Sequence, residues 1–377
     1  MYIVTKKLEQ QASSSTIDNL FGTTSYTISE TSDTITKKID KAISTKTTIA
    51  DMLKAYKTMI TINHKYLGSE MQGHYTTFRI PKKTHGFRTI QAPDDQLKDD
   101  CKAVVRLLKN TLHMLHHNSA WAYVKNRDVV SAMRLHQDNG SRWFLKIDLK
   151  DFFGSCSPAF IMKQLMQMYP FAVPEYSDYS EQIILQICKL ATLADGLPQG
   201  TPLSPMLTNL IMVPIDYEIN CILNNFSTRV QQQRYVYTRY ADDIIISAKE
   251  KFDYKEIVKA IESLLKDTPL RINTEKTRFG SFAGRNWNLG IMYNKDKQLT
   301  TGYKNKQYLK KVTYRYVKDK NNGTLWPLED LRWYLGQLSW LANVEPEYTE
   351  GVLTYYQNKY NIEIRQSIIS DIKSYNN

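Results

Sequence analysis

The chain is poor in cysteine: Cys101, Cys156, Cys188 and Cys221 stand alone among 377 residues, with no Cys-x-x-Cys pair. That argues against a disulfide framework or a cysteine-rich zinc module and fits reduced core side chains of a cytosolic protein. Long apolar runs are also missing. Leu210–Ile215 is among the longest and is broken by Pro214, far from the roughly 18 residues a membrane span needs. MYIVTKKLEQQ has too few apolar residues ahead of its lysines to read as a signal peptide. A cytoplasmic location without a membrane partner is therefore expected. Histidine is confined to the stretch from His64 to His136, and only His113, His116 and His117 cluster. No carboxylate or cysteine follows them closely, so an exposed helix end is favoured over a metal site. Acid is in deficit, 38 Asp and Glu against 50 Lys and Arg, for a net charge of +12. Such an excess favours a polyanionic partner, nucleic acid or an acidic membrane surface, and does not choose between them.

What is present is an ordinary globular balance, enough for two or three compact units. Residues 12–50 are rich in Ser and Thr and carry no assignable element. Ile43, Met52, Leu53, Tyr56, Met59 and Ile60 suggest a helix between about Ile39 and Leu67. HYTTFRIPKKTHGFRTIQAP reads as two short strands around a Thr-His-Gly turn, stopped by Pro93. Leu97, Cys101, Val104, Leu108, Leu112 and Leu115 have helical spacing and predict an amphipathic helix to about Asn118. Trp143–Asp148 alternates, with Phe144, Lys146 and Asp148 on one face, and predicts a strand ending in an acid. Ser204-Pro205 predicts an N-cap with proline at the first helical position, opening a helix to about Asn224 bent at Pro214. Tyr235–Tyr240 and Ile244–Ala248 are β-rich runs joined through Ala241-Asp242-Asp243, a hairpin with two carboxylates at its tip. Further helices are expected at Ile257–Leu265 and in LEDLRWYLGQLSWLANV.

Three features carry chemistry together: Asp148 at a strand end, Asp242-Asp243 at a hairpin tip, and the Leu-Pro-Gln-Gly turn between them. Adjacent aspartates flanked by apolar β residues repel one another unless a cation neutralises them. Aspartate is common in turns, so the pair alone would not distinguish a structural turn. A third carboxylate at another strand end reverses that balance. Three hard oxygen donors from two strands suit a pair of Mg²⁺ ions about 3.5–4 Å apart, the clamp used in phosphoryl transfer.

In that order, KIDLKDFF (Lys146–Phe153), LPQGTPLSPMLTN (Leu197–Asn209) and YADD (Tyr240–Asp243) resemble the A, B and C motifs of reverse transcriptases. RIPKKTHGFRTIQAP (Arg79–Pro93) resembles the basic fingers hairpin, INTEKT (Ile272–Thr277) the D motif, and NLGIMYN (Asn288–Asn294) the primer grip. The resemblance implies an α+β right-hand polymerase of fingers, palm and thumb, with an antiparallel palm sheet flanked by helices and a helical thumb. It divides the chain into an N-terminal extension (1–50), interleaved fingers and palm (51–288), and primer grip with thumb (289–377). It implies an RNA-directed DNA polymerase using two Mg²⁺ ions, or Mn²⁺ in their place. Asp148 and Asp242 would hold both metals, with Asp243 assisting. Lys82, Lys83 and Arg88 would grip phosphate oxygens, and Arg79 would point away by alternation. Asp151, Gln199 and Gly200 would contact the incoming nucleotide, and Lys276 would protonate departing pyrophosphate. Phe153, five residues after Asp148, occupies the place of the aromatic gate that excludes a 2′-hydroxyl, with Phe152 the core member of the pair.

Few residues follow Asn294, which implies a thumb without an RNase H domain. The chain thus resembles compact bacterial enzymes, retron-like or otherwise defence-associated, and WAYVKNRDV (Trp121–Val129) resembles that group as well. The retron Asn-Ala-x-x-His and Val-Thr-Gly signatures are not matched at Ser131–His136 or in NLGIMYNKDKQLTTG, which points to a defence enzyme outside the retrons. Lys304, Lys306, Lys310, Lys311 and Arg315 form a basic face beside a stripe of Tyr308, Val312 and Tyr316, either a solvated helix or a surface for a nucleic-acid backbone. The expected partners are a co-encoded structured non-coding RNA as template and primer, dNTPs and the DNA product. The alternatives are a template-independent or protein-primed polymerase of the same fold, for which Tyr348, Tyr355, Tyr356, Tyr360 and Tyr375 offer hydroxyls, and a catalytically silent RNA-binding protein.

Overall fold

The computed structural model describes residues 48–66, 71–82, 86–112, 114–229, 233–284 and 288–375. Nearly all of the expected N-terminal extension, together with Lys83 and His113, lies outside them. Helix α1 (Ile49–His64) opens on a capping box: Thr48 Oγ1 accepts from Asp51 N–H, and the Asp51 carboxylate accepts from Thr48 N–H. Its expected earlier start, near Ile39, falls outside the described residues.

Strands β1 (Tyr75–Pro81) and β2 (Phe87–Pro93) form the expected hairpin, in antiparallel register with Phe78 opposite Ile90 and Ile80 opposite Arg88. Helix α2 (Asp95–Thr111) is capped by Asp94, whose side chain accepts from Leu97 N–H at 2.8 Å. It stops well short of Asn118. Leu112 already has extended backbone, and the chain beyond it is drawn to the central sheet, where Arg239 N–H donates to Ser119 O at 2.6 Å. Tertiary pairing thus overrides a helical period that no local residue breaks. His116 and His117 lie in that turn segment, and burial holds the pKa of each down. Among the described residues no His, Cys and acid group forms a metal site.

The centre is a four-stranded antiparallel sheet in the order β4 (Val236–Tyr240), β5 (Asp243–Ala248), β3 (Trp143–Asp148), β6 (Arg278–Ser281). Leu145, Ile147, Ile244 and Ile246 face the large core, which also takes residues from α1, α2, α4 (Pro158–Leu165), α5 (Ser177–Ala191), α6 (Leu203–Ile211), α7 (Val213–Arg229) and α8 (Tyr254–Leu265). Phe144 and Ile245 face the other way, into a smaller core with Met133 of α3 (Val129–Asp138) and Ile291. Both faces of the sheet are therefore covered.

Helix α6 starts one residue before Ser204, so Ser204 is not its cap. Thr201 Oγ1 instead accepts from Ser204 N–H at 3.2 Å. The break before α7 falls at Met212, and Pro214 supplies the reason: with no N–H it cannot bond back to Leu210 O. By length and composition Leu203–Thr228 could cross a membrane, contrary to the sequence expectation, but 61% of that window is buried inside the protein. It serves as core. The three most buried cysteines are Cys101, Cys156 and Cys188, and all four cysteines are free thiols.

A short hairpin, β7 (Met292–Tyr293) with β8 (Leu299–Thr300), leads into four helices: α9 (Tyr303–Asn321), α10 (Leu328–Val344), α11 (Pro346–Tyr360) and α12 (Ile364–Ser374). They share their own core around Leu309, Tyr316, Tyr334, Leu338 and Ile368. The buried stripe of α9 is Leu309, Thr313, Tyr316 and Val317; Tyr308 lies outside it and is half exposed.

Candidate active site

Asp148 ends β3, Asp243 begins β5, and the two pair directly across the ladder. Tyr240 pairs with Asp243, so Ala241 and Asp242 form a two-residue turn between β4 and β5. Ala241 has φ +57, a left-handed conformation that costs a non-glycine residue on the order of 1–3 kcal/mol unless its surroundings hold it. They do hold it. Arg239 Nη1 donates to Ala241 O at 3.3 Å, and Leu149 N–H donates to Asp242 O at 3.1 Å. Because strand side chains alternate, Lys146, Asp148 and Asp243 share one face of the sheet.

Two lysines answer two of the acids. Lys276 Nζ lies 2.8 Å from Asp148 Oδ1, and Asn273 Nδ2 donates to the same oxygen at 3.2 Å. Asn273 N–H also donates to Asp148 O at 2.7 Å, so this one residue grips Asp148 at backbone and side chain. Lys146 Nζ lies 2.9 Å from Asp243 Oδ1. Among the described residues Asp242 touches no cation. Burial, then the charges of Asp243 and Asp148, push its pKa up, while the hydrogen bond to Asp148 pushes that of Lys276 up. No three acidic, histidine or cysteine side chains among the described residues converge as a ready cage, since Asp148 and Asp243 are turned to their lysines. The donor set nevertheless fits hard divalent cations: oxygen ligands only, surplus negative charge, and one carboxylate destabilised for want of a counter-ion.

The Leu-Pro-Gln-Gly turn reaches this site from α5. Leu197 N–H donates to Phe153 O at 3.0 Å, tying the turn to the loop after β3. Gln91 N–H of β2 donates to Gln199 O at 2.8 Å, tying it also to the β1–β2 hairpin. Gly200 sits at that contact with φ +138, and a Cβ there would fall 2.7 Å from Gln91 O. Glycine is required, because a strand backbone lies against it. Phe153 is half-buried while Phe152 is 3% exposed, as their order relative to Asp148 implied. Asp151 is exposed at the tip of the loop with φ +41, its carboxylate folded against Gly154.

On the hairpin, alternation puts Lys82, Ile80 and Phe78 on one face with Arg88, and Arg79 opposite Thr89 on the other. On α9, Lys304, Lys311 and Arg315 are exposed and spaced to share one helical face with Tyr308. Lys306 differs: it is bound 2.5 Å from the buried Glu345 and lies over the Tyr348 ring. Lys310 lies over that ring as well, at 5.7 Å. Of the tail tyrosines, Tyr375 donates to Trp326 O, and Tyr355 is 57% exposed.

Sequence reasoning left out four residues that shape the site: Lys146, Asn273, Arg239 and Tyr123. Arg239 is wholly buried with Asp216 of α7, which accepts from its Nε at 2.8 Å and its Nη2 at 2.7 Å. Tyr237 donates to the same carboxylate, and Asn209 accepts from Arg239 Nη1 at 3.3 Å. An arginine inside an apolar β run just ahead of two aspartates was the available signal.

Residues 80–317 match the family described as reverse transcriptase (RNA-dependent DNA polymerase). The chain is 26% identical to the retron Ec83 reverse transcriptase of Escherichia coli, over 82% of this chain and 93% of that protein. It is 31% identical to the retron Ec73 reverse transcriptase of the same organism, over 54% of this chain and 64% of that protein. With the retron Ec86 reverse transcriptase, also of Escherichia coli, it shares 27% identity over 74% of this chain and 80% of that protein.

Proposed function

This chain belongs to the reverse transcriptase family as a retron-like RNA-directed DNA polymerase, and we propose that it copies a structured non-coding RNA encoded beside it, in bacterial anti-phage defence. The observation that supports the catalytic assignment is that the backbone brings Asp148, Asp242 and Asp243 to one end of the central sheet, two of them paired across the ladder. Retron relatives favour the retron-like alternative over a defence enzyme outside the retrons, despite the two unmatched signatures.

In this assignment Asp148 and Asp242 would hold two Mg²⁺ ions, and Asp243, restrained by Lys146, would assist. Such ions, when bound, lower the pKa of a primer hydroxyl and neutralise a triphosphate. The remaining tasks fall to the chain's own groups. Arg88 offers a planar fork and Lys82 a point charge to phosphate oxygens from the same hairpin face. Gln199, fixed through its backbone to β2, would contact the incoming nucleotide. Lys276, its Nζ paired with Asp148, would protonate the leaving pyrophosphate. Phe153 closes the space a 2′-hydroxyl would need. In hand terms, β1–β2 belongs to the fingers, the central sheet to the palm and α9–α12 to the thumb. The thumb's Lys304, Lys311 and Arg315 follow the nucleic-acid backbone.

Sequencing the nucleic acid that copurifies with the protein tests this. One RNA from the locus flanking the gene, with DNA copied from it, is the expected outcome; RNA drawn at random from many loci would defeat the dedicated-template proposal.

A further inference from the structure

Phe153 is held from two sides. Phe152 meets it edge-on at 5.8 Å and 76°, and Tyr123 meets it edge-on at 6.4 Å and 78°. Phe152 is core, but Tyr123 is 56% exposed and its backbone has φ +62. A bulky residue in that conformation persists only when its neighbours over-determine it.

Here the neighbours are those that hold the catalytic turn. Trp121 N–H donates to Arg239 O at 2.8 Å and Arg239 N–H to Ser119 O at 2.6 Å, so the loop is stitched to β4. Asn209 Nδ2 donates to Ala122 O at 2.8 Å, next to Tyr123, while Asn209 Oδ1 accepts from Arg239. One buried network therefore fixes both strained residues, Ala241 ahead of Asp242 and Tyr123 beside Phe153. Burial, then the charge of Asp242, pushes the pKa of the Tyr123 hydroxyl up.

We propose that Tyr123 is a positioning residue for sugar selection: its ring clamps Phe153 against Phe152, so that Phe153 keeps one face toward C2′ of the incoming nucleoside triphosphate. The proposal rests on Phe153 being the gate. Without the clamp, Phe153 regains rotamer freedom and yields to a 2′-hydroxyl. Because Tyr123 is exposed and outside the core clusters, its loss removes no core packing.

The test is the ratio of kcat/KM for a dNTP to that for the matching rNTP, measured on a preannealed RNA template and DNA primer. Phe153→Ala should collapse the ratio by more than about tenfold. Tyr123→Ala should lower it by about 3- to 10-fold, the range an edge-on aromatic contact supports, with unchanged thermal unfolding. Tyr123→Phe should stay within about twofold of wild type, since the ring and not the hydroxyl makes the contact. If Phe153→Ala collapses the ratio and Tyr123→Ala does not, the clamp is refuted and the gate stands. An unchanged ratio in Phe153→Ala refutes the gate and the clamp with it. Equal loss in Tyr123→Phe and Tyr123→Ala would assign the effect to the hydroxyl and overturn the ring contact.

Discussion

Replacing Asp216 by Ala strands the Arg239 guanidinium, which is 0% exposed, together with the Tyr237 hydroxyl. Breaking a buried ion pair from one side costs about 3–5 kcal/mol, because the remaining charge stays desolvated without compensation. Set against a typical domain stability of about 5–15 kcal/mol, that loss should be plain in urea unfolding followed by circular dichroism. Replacing both partners, Asp216→Leu with Arg239→Met, should recover most of it, since apolar side chains of similar volume in such a site are often neutral or better. Activity should not return with stability. The double variant still lacks the donor to Ala241 O and Asn209 Oδ1, so the strained turn carrying Asp242 is free to relax. A misplacement near 1 Å can cost about 100-fold in rate, and primer extension should fall by about that factor. Recovery of both stability and rate in the double variant would refute the idea that Arg239 positions the catalytic turn.

Asp242 gives a pH prediction. Its raised pKa means the folded protein holds that proton more tightly than the unfolded chain does, so its stabilising contribution is complete below the unfolded carboxylate value of about 3.9 and lost as pH rises through the folded value. With chelator present, Asp242→Asn should therefore raise Tm at pH 7 and leave it unchanged near pH 3; a lower Tm at pH 7 would contradict the cause assigned to the shift. The α9 lysines should divide by what they touch. Lys306→Ala should lower Tm because Glu345 loses its buried partner. Lys304→Ala and Lys311→Ala should leave Tm alone and reduce the log–log salt slope of RNA binding by about one unit each. Identical behaviour of all three lysines in both assays would show that the division is wrong.

The elements that carry the three aspartates were legible because their signals are local. Strand β3 alternates cleanly over Trp143–Asp148, and the paired aspartates sit between two β-rich runs whose register a short turn fixes. What escaped depends on partners distant in sequence. The end of α2 is set by pairing with Arg239, more than a hundred residues on, and not by any breaker near Thr111. The start of α6 was expected at a Ser204 cap, but Ser204 already lies inside the helix and its N–H donates to Thr201 Oγ1. On α9 several residues have helical spacing, and only packing against α10, α11 and α12 selects Leu309, Thr313, Tyr316 and Val317 for the interior. Lys146 was placed on the correct face by alternation, yet its pairing with Asp243 needed the register of β3 with β5. Tyr123 lay within the Trp121–Val129 stretch that resembles bacterial enzymes, but its contact with Phe153 and its backbone strain leave no mark in composition or period.

The most direct measurement is single-nucleotide incorporation on an RNA template annealed to a DNA primer, for wild type, Asp148→Asn and Asp242→Asn, each with Mg²⁺ and with chelator. Wild type should extend the primer with the complementary dNTP in Mg²⁺ and fail with chelator. Both variants should fold, bind the same template and incorporate less than about a thousandth as fast, the scale of losing a transition-state charge contact. Extension by either aspartate variant at a rate near wild type, or by wild type in chelator, would contradict the assignment of these carboxylates as the catalytic centre.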